Sequence, residues 1–136
     1  MALRSRPQRG QPSTVVVIGV SEQPDQLSQV NGLPVIQADV EIDATNAPDL
    51  RTAILAAIST GTERLIVDMS RTEFCDSTGL NVLVRAHKRL ADAGGELLLV
   101  ASEPTLLRIF KVTGMDTLFH IYASLDEALV AAPKPT

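Results

Sequence analysis

Three short apolar segments alternate with stretches of helical periodicity along this chain, and that alternation limits the fold more than any other feature. The segments lie at residues 64–69, 96–101 and 118–122. The stretches between them are long enough to cross back over a sheet, so consecutive segments should pair as parallel strands through right-handed connections. Helices would then pack against the sheet. The predicted order of elements is β-β-α-β-α-β-α-β-α.

An antiparallel hairpin is predicted to open the sheet. Asn31-Gly32 is a dipeptide typical of two-residue hairpin turns, and β-type segments lie on either side of it at 26–30 and 33–42. In the second segment, apolar residues alternate with polar ones and should share one buried face. These apolar residues are Ile36, Ala38, Val40 and Ile42. A further β-type segment, Val15–Val20, lies upstream, and its position in the sheet is not predicted.

Two amphipathic helices follow from the same kind of pattern. The first follows Asn46, a residue type that favours the N-cap position, and has Pro48 in its first turn. The second begins at Ser77 and ends before a Gly-Gly pair. Its predicted apolar stripe consists of Leu80, Leu83, Val84, His87, Leu90 and Ala91. Shorter helices are predicted at 104–113 and 124–131.

Composition favours one globular domain with an aliphatic core. Of 136 residues, 45% are hydrophobic and only 3% are aromatic. The net charge of −4, without basic residues interleaved with aromatics, argues against direct nucleic-acid binding. No apolar run is long enough to span a bilayer, so no membrane partner is expected. Cys75 has no second cysteine with which to form an internal disulfide, and we expect a cytoplasmic protein.

The domain is predicted to cover residues 14–131. Residues 1–13 contain three arginines among proline, glycine and glutamine, a composition typical of a disordered basic arm. Residues 132–136 are predicted to be a tail. No cysteine or histidine pair has metal-ligand spacing, so neither a metal site nor a cofactor is predicted.

The segment Phe74–Leu80 is the most suggestive of function, because it joins an apolar strand to the start of a helix. A serine at a helix start lies among free backbone N–H groups, which favour a phosphate. A phosphate on Ser77 would add roughly −1.5 to −2 charges beside Glu73 and Asp76, and so would act as a charge switch. From these residues alone, Asp76 and Ser77 are better explained as ordinary helix caps, which need no further function. A nucleophilic serine is disfavoured, because Cys75 stands where the nucleophile elbow requires glycine.

Taken together, these elements and motifs resemble the STAS domain of bacterial anti-sigma factor antagonists. The resemblance runs from about Gln26 to Leu129 and rests on four segments. The segments are Glu41 to Pro48, Leu65 to Ser70, Phe74 to Leu80 and Val112 to Phe119. They resemble the family's Gly-Glu-Leu-Asp segment, its central strand, its phosphorylation motif and its late Thr-Gly segment. The fold implied is an α/β, STAS-like mixed sheet with an opening hairpin and helices packed against it.

The resemblance implies that Ser77 is the residue that an anti-sigma kinase phosphorylates. The unmodified protein would bind the anti-sigma factor, itself a serine-protein kinase, so that sigma is released, and the phosphorylated protein would let go. The implied partner-binding residues are Glu41, Asp43, Asp76, Ser77, Thr78, Gly79, Asn81 and Arg85. Asp68 would support the phosphorylated loop, or would only accept hydrogen bonds from backbone groups at the strand end.

Other functions stay open or are disfavoured on specific grounds. The alternative within the family is a STAS scaffold or interaction protein whose Ser77 is never phosphorylated. An enzyme or a receiver-like domain is disfavoured, because no late strand ends in lysine and no Gly-rich nucleotide loop is present. A weak homodimer stays open. Val40 stands where the family usually has glycine, and Cys75 is interpreted either as a small core residue or as a redox sensor.

Overall fold

A mixed sheet lies at the centre of the computed structural model, which describes residues 16–17, 28–30 and 33–131. The strands are β1 (Val16–Val17), β2 (Ser28–Val30), β3 (Leu33–Gln37), β4 (Glu41–Ile42), β5 (Arg64–Asp68), β6 (Phe74–Cys75), β7 (Glu96–Val100) and β8 (His120–Tyr122). The helices are α1 (Ala47–Ile58), α2 (Ser77–Asp92), α3 (Pro104–Thr113), α4 (Met115–Leu118) and α5 (Leu125–Ala131). The predicted α/β fold with helices packed against a mixed sheet is confirmed. No helix in these ranges has both the length and the apolarity needed to cross a membrane.

The strand order in the main sheet is β1-β3-β5-β7-β8, and each of these neighbours pairs in parallel. The hairpin supplies the antiparallel pair, because β2 runs opposite to the first residues of β3. The upstream segment Val15–Val20, whose position was not predicted, contributes β1. This strand pairs with Ile36 and Gln37 at the other end of β3. The predicted arm at 1–13, the turn at Asn31-Gly32 and the tail at 132–136 lie outside the described residues.

The hydrophobic core lies mainly between the sheet and helices α1 and α2. Leu65 and Val67 of β5 point into this cluster, whereas Ile66 points to the other face and packs with Ala128 of α5. Both faces of β5 are therefore buried, as is usual for the central strand of a parallel sheet. Helix α3 closes the first face by burying Phe110 there.

The prediction of one continuous strand at 33–42 is wrong in its second half. Strand β3 ends at Gln37. The backbone N–H of Ala38 still donates to the carbonyl oxygen of Asp68 at 2.9 Å, and residues 39–40 leave the main sheet before β4 begins. The carbonyl oxygen of Val40 accepts the backbone N–H of Glu73 at 2.7 Å, so this segment pairs with the loop after β5 instead. Val40, predicted to face the core, is 36% exposed as a result. Alternation alone could not reveal the break, because Ala38 and Ile42 are buried on both sides of it.

Two smaller predictions are also wrong. Ala91 is exposed, because the buried stripe of α2 runs through Leu83, Ala86 and Leu90, and the next residue turns away from the core. Leu118, predicted to begin the last strand, ends the short helix α4 instead. That strand begins at His120.

Candidate functional site

A two-stranded parallel sheet brings the segment with Glu41 and Asp43 next to the segment with Asp76 and Ser77. Strand β4 pairs with β6, so that Glu41 lies opposite Phe74 and Ile42 opposite Cys75. The backbone N–H of Asp76 continues this pairing by donating to the carbonyl oxygen of Ile42 at 3.0 Å. The loop after β4 therefore lies against the start of α2, although the paired residues Glu41 and Phe74 are far apart in the sequence.

Asp76 caps helix α2. Its carboxylate accepts the backbone N–H groups of Thr78 at 2.9 Å and Gly79 at 3.2 Å, and also accepts the hydroxyl of Thr78. This is the N-cap arrangement, in which a side chain satisfies donors that the first turn leaves unpaired. Ser77 is the first residue of the helix and is exposed. Because Asp76 provides the cap, the hydroxyl of Ser77 is not needed for it.

Asp43 orders the loop that faces this cap. Its carboxylate accepts the backbone N–H of Thr45 at 2.9 Å and the hydroxyl of the same residue. Asn46 adds a second brace, since its side chain accepts the N–H of Asp43 at 2.9 Å and donates to the carbonyl oxygen of Glu41 at 2.8 Å. Asn46 was predicted to cap α1, but its side chain makes no capping hydrogen bond and holds the loop instead.

Both aspartates favour the ionised form. The hydrogen bond from the Thr45 side chain lowers the pKa of Asp43, although the negative charge of Asp76 acts in the opposite direction. The hydrogen bond from the Thr78 side chain likewise lowers the pKa of Asp76. The backbone N–H of Ala44 contributes to the second effect, which shows how closely the two loops meet. The surface beside Ser77 is therefore negatively charged before any modification.

Gly79 and Cys75 form the floor beneath this surface. Gly79 is buried against the side chains of Cys75 and Ile42, so its role in the structure is close packing. Cys75 is also buried, and burial raises the pKa of its thiol to about 12. A redox sensor needs an accessible thiolate, and this thiol is neither accessible nor acidic. Cys75 is therefore a small core residue, which was one of its two interpretations.

The remaining predicted residues occupy two different environments. Asn81 and Arg85 are exposed on α2, one and two turns beyond Ser77. Asp68 is buried at the end of β5, where its carboxylate accepts the backbone N–H of Ser70 at 3.0 Å. This contact matches the second of its two interpretations, which was the satisfaction of backbone groups at the strand end.

Three residues near the site were not among the predicted site residues. Phe74 is 44% exposed and lies opposite Glu41 in the β4–β6 pair, and Val40, directly before β4, is 36% exposed. Thr72 is fully buried, and its hydroxyl donates to the carbonyl oxygen of Asp39 at 2.7 Å, which fixes the segment before β4. The exposure of Phe74 follows from alternation in a two-residue strand, which is too short to be recognised in sequence.

We call this surface the Ser77 face. It comprises Val40, Glu41, Asp43, Phe74, Asp76, Ser77, Thr78 and Asn81. It combines carboxylates, two apolar side chains and an accessible hydroxyl, which is a composition suited to protein recognition. Across the described ranges, no cluster of three or more His, Cys, Asp or Glu residues is placed to hold a metal ion.

Comparison with known proteins finds similarity over most of the chain. A family model described as the STAS domain matches residues 26–128. An anti-sigma-B factor antagonist from Listeria monocytogenes is 35% identical over 82 residues, which are 60% of this chain and 71% of that protein. A crystal structure of an anti-sigma factor antagonist from Mycobacterium paratuberculosis is 34% identical, with a TM-score of 0.71, covering 79% of this chain and 95% of that one.

A structure of SpoIIAA from Bacillus in its phosphorylated form is also similar. It is 25% identical to this chain, with a TM-score of 0.60, and the match covers 77% of this chain and 96% of that one. Similarity therefore extends to a protein whose structure is described as a phosphorylated form.

Proposed function

The chain belongs to the STAS domain family, and we propose that it is an anti-sigma factor antagonist that is switched off by phosphorylation of Ser77. In its unmodified form, the Ser77 face binds an anti-sigma factor that is also a serine-protein kinase, and sigma becomes free to direct transcription. Phosphorylation then breaks the complex. In this role the protein is the substrate of a kinase in the cytoplasm rather than an enzyme.

The observation that carries this proposal is the position of Ser77. It is an exposed hydroxyl on the first residue of α2, while Asp76 already supplies the helix cap. A kinase can reach such a hydroxyl without unfolding the helix, and the positive end of the helix dipole tolerates the phosphate that results. The fold therefore survives modification, and the change is confined to the charge of the surface.

Electrostatics explain why the modified protein would release its partner. The carboxylates of Asp43 and Asp76 lie beside Ser77, and both pKa values are lowered by hydrogen bonds. A phosphate adds roughly −1.5 to −2 further charges to the same surface. A partner that tolerates the carboxylates would then have to desolvate a much larger charge, which weakens a complex chiefly by speeding dissociation.

The similar proteins support this proposal through their names. The proteins from Listeria monocytogenes and Mycobacterium paratuberculosis are described as antagonists of anti-sigma factors, and SpoIIAA is described in a phosphorylated form. The alternative is a STAS scaffold in which Ser77 is never modified. The exposure of Ser77 favours the switch, because a scaffold gains nothing from an accessible hydroxyl at this position.

Intact-mass measurement tests the modification. The purified chain is incubated with ATP and candidate anti-sigma kinases, and we expect the addition of one phosphate. Ser77→Ala should gain none, whereas Ser59→Ala, a change at an exposed serine after α1, should be modified like the wild type. If Ser77→Ala still gains a full phosphate, the assignment is wrong, and Thr78 becomes the first residue to examine.

Titration calorimetry tests the consequence for binding. One anti-sigma factor is titrated with wild type, Ser77→Ala and Ser77→Asp. We expect the aspartate variant to lose about 2–5 kcal/mol of binding free energy, because a charge is placed within the interface. Its melting temperature should stay near that of the wild type, since an acidic residue is favourable in the first turn of a helix. Equal affinity of all three proteins would favour the scaffold.

A further inference from the structure

A cleft between α1 and α2 lies outside the Ser77 face. Its volume is about 320 Å³. Four apolar residues form its floor: Ile54, Leu55, Val82 and Ala86. Ile54 and Ala86 are buried in the core, and the other two residues are half-buried. The floor is therefore continuous with the hydrophobic core. The cleft therefore offers apolar surface that is already held in place.

Four cationic side chains form the rim of this cleft. They are Arg51 of α1 and Arg85, Lys88 and Arg89 of α2. Asp92 is the one carboxylate among the lining residues that the structure describes. Within the described part of the chain, the ion pairs within 4.0 Å involve Arg64, Glu96 and His120, so Asp92 offsets part of the rim's charge without forming an ion pair with it. A protein of net charge −4 thus concentrates positive charge at one groove.

The spacing of the rim matches a helix better than it matches a small molecule. Arg85 and Arg89 are four residues apart on α2, which places them about 6 Å apart along the helix axis. Carboxylates four residues apart on another helix repeat at the same interval. The polar groups lie on the exposed rim and the floor is apolar, whereas a small-molecule site places a few polar groups inside an enclosing pocket.

We propose that the α1–α2 cleft is a docking groove for an acidic amphipathic helix of a partner protein. The apolar side of that helix would cover Leu55 and Val82, and its carboxylates would pair with Arg51 on one wall and Arg89 on the other. Helix-in-groove recognition of this kind joins an apolar face to charge complementarity. The proposal does not depend on phosphorylation of Ser77.

The charges of this chain's own ends exclude them as the occupant. The segment 1–13 carries arginines at positions 4, 6 and 9, and the only charged side chain in 132–136 is Lys134. Neither segment has an acidic side chain that could pair with the rim. An acidic helix from another molecule has the complementary charge.

Nuclear magnetic resonance titration of the full chain tests the proposal. The probe is a synthetic helical peptide of about two heptads, with leucines on one face and glutamates four residues apart on the other. We expect saturable shifts of the backbone amides of Val82, Ala86 and Arg89. A matched peptide with glutamine in place of glutamate should bind about tenfold more weakly, and added salt should weaken the glutamate peptide.

Charge variants of the protein complete the test. Arg89→Glu should weaken the glutamate peptide about tenfold, whereas Lys111→Glu, a change on the exposed side of α3, should leave its affinity unchanged. If Arg89→Glu loses its fold by circular dichroism, Arg51→Gln takes its place. The proposal is overturned if the glutamate and glutamine peptides bind equally, or if the variants bind as the wild type does.

Two other occupants are outcomes of the same experiment. Inorganic phosphate or laurate that shifts the same amides at lower concentration than the peptide would overturn the proposal in favour of a small-anion site. Shifts of Val82 and Ala86 that grow with protein concentration alone, together with dimers in analytical ultracentrifugation, would overturn it in favour of a second copy of this chain.

Discussion

A Cβ atom on Gly79 would lie 2.5 Å from the Sγ atom of Cys75. The same atom would lie 2.7 Å from Cγ2 of Ile42, so the first turn of α2 rests directly on the β4–β6 pair with no side chain between them. This close approach fixes the height of α2 above the small sheet. Ser77, two residues before Gly79, is held at the surface as a consequence.

Gly79→Ala should therefore destabilise the protein. Alanine improves intrinsic helix stability by roughly 0.5–1 kcal/mol, but overpacking of this kind costs roughly 1–3 kcal/mol. Because both contacts are to side chains held in the core, we expect the clash to outweigh the propensity gain in urea unfolding. Adding Cys75→Ala should restore part of the loss by removing the sulfur. An unfolding free energy of Gly79→Ala equal to or above the wild-type value would contradict this packing argument.

Asp76→Ala should lower the melting temperature at pH 7, while Asp76→Asn should lower it less. Asparagine is as good an N-cap as aspartate, so it keeps the bonds to the N–H groups of Thr78 and Gly79 and loses only the charge. Melting curves followed by circular dichroism provide the measurement. Equal melting temperatures of wild type and Asp76→Ala would show that the cap contributes nothing.

A comparison of wild type with Asp76→Asn should also depend on pH. The folded-state pKa of Asp76 lies below the ordinary value of 3.8, mainly because of the Thr78 hydrogen bond. Its ionisation therefore stabilises the fold fully above that ordinary value, and the contribution is lost as pH falls through the lower folded-state value. The difference in melting temperature between wild type and Asp76→Asn should be constant near neutral pH and shrink below about pH 4. A difference that grows on acidification would contradict the lowered folded-state pKa of Asp76.

Much of the fold was predictable, because long elements repeat their pattern. Strand β5 was identified by its continuous apolar run, and α2 by an apolar stripe that repeats through several turns. The pairing of β4 with β6 was not predictable, since strands of two residues have no period and their pairing joins distant parts of the chain. Ser77 was singled out because it belongs to a motif, and its role stays a prediction. The α1–α2 cleft was not predicted, because Arg51 and Arg89 lie on different helices and come to line one cleft only in the folded chain.

Substitutions on the buried side of α2 should lower stability, whereas substitutions on its exposed side should weaken binding. Leu83 is fully buried, so Leu83→Ala should cost roughly 2–5 kcal/mol of unfolding free energy. Asn81 is exposed on the Ser77 face, so Asn81→Ala should keep the melting temperature and weaken binding to the anti-sigma factor. Thermal melting and calorimetry measure the two effects. Unchanged affinity of Asn81→Ala would remove this part of α2 from the proposed interface.

Phe74 should contribute apolar contact area to the partner complex. Its side chain is 44% exposed opposite Glu41, and aromatic residues are enriched where proteins bind one another. Phe74→Ser should weaken binding to the anti-sigma factor by calorimetry and leave the fold intact. The control is Val130→Ser on α5, which removes an apolar side chain that is 86% exposed on the other side of the sheet. Equal effects of the two changes would argue against a specific role for Phe74.

Cys75 should resist alkylation in the folded protein. Burial raises the pKa of its thiol to about 12, so the reactive thiolate is scarce at pH 8, and the reagent also cannot reach the sulfur. Iodoacetamide should therefore label the wild type only in denaturant. Ser59→Cys combined with Cys75→Ala places the thiol at an exposed position and should be labelled in the folded state. Labelling of native wild type as fast as this control would mean that the start of α2 opens readily from the small sheet, and would restore the redox-sensor interpretation.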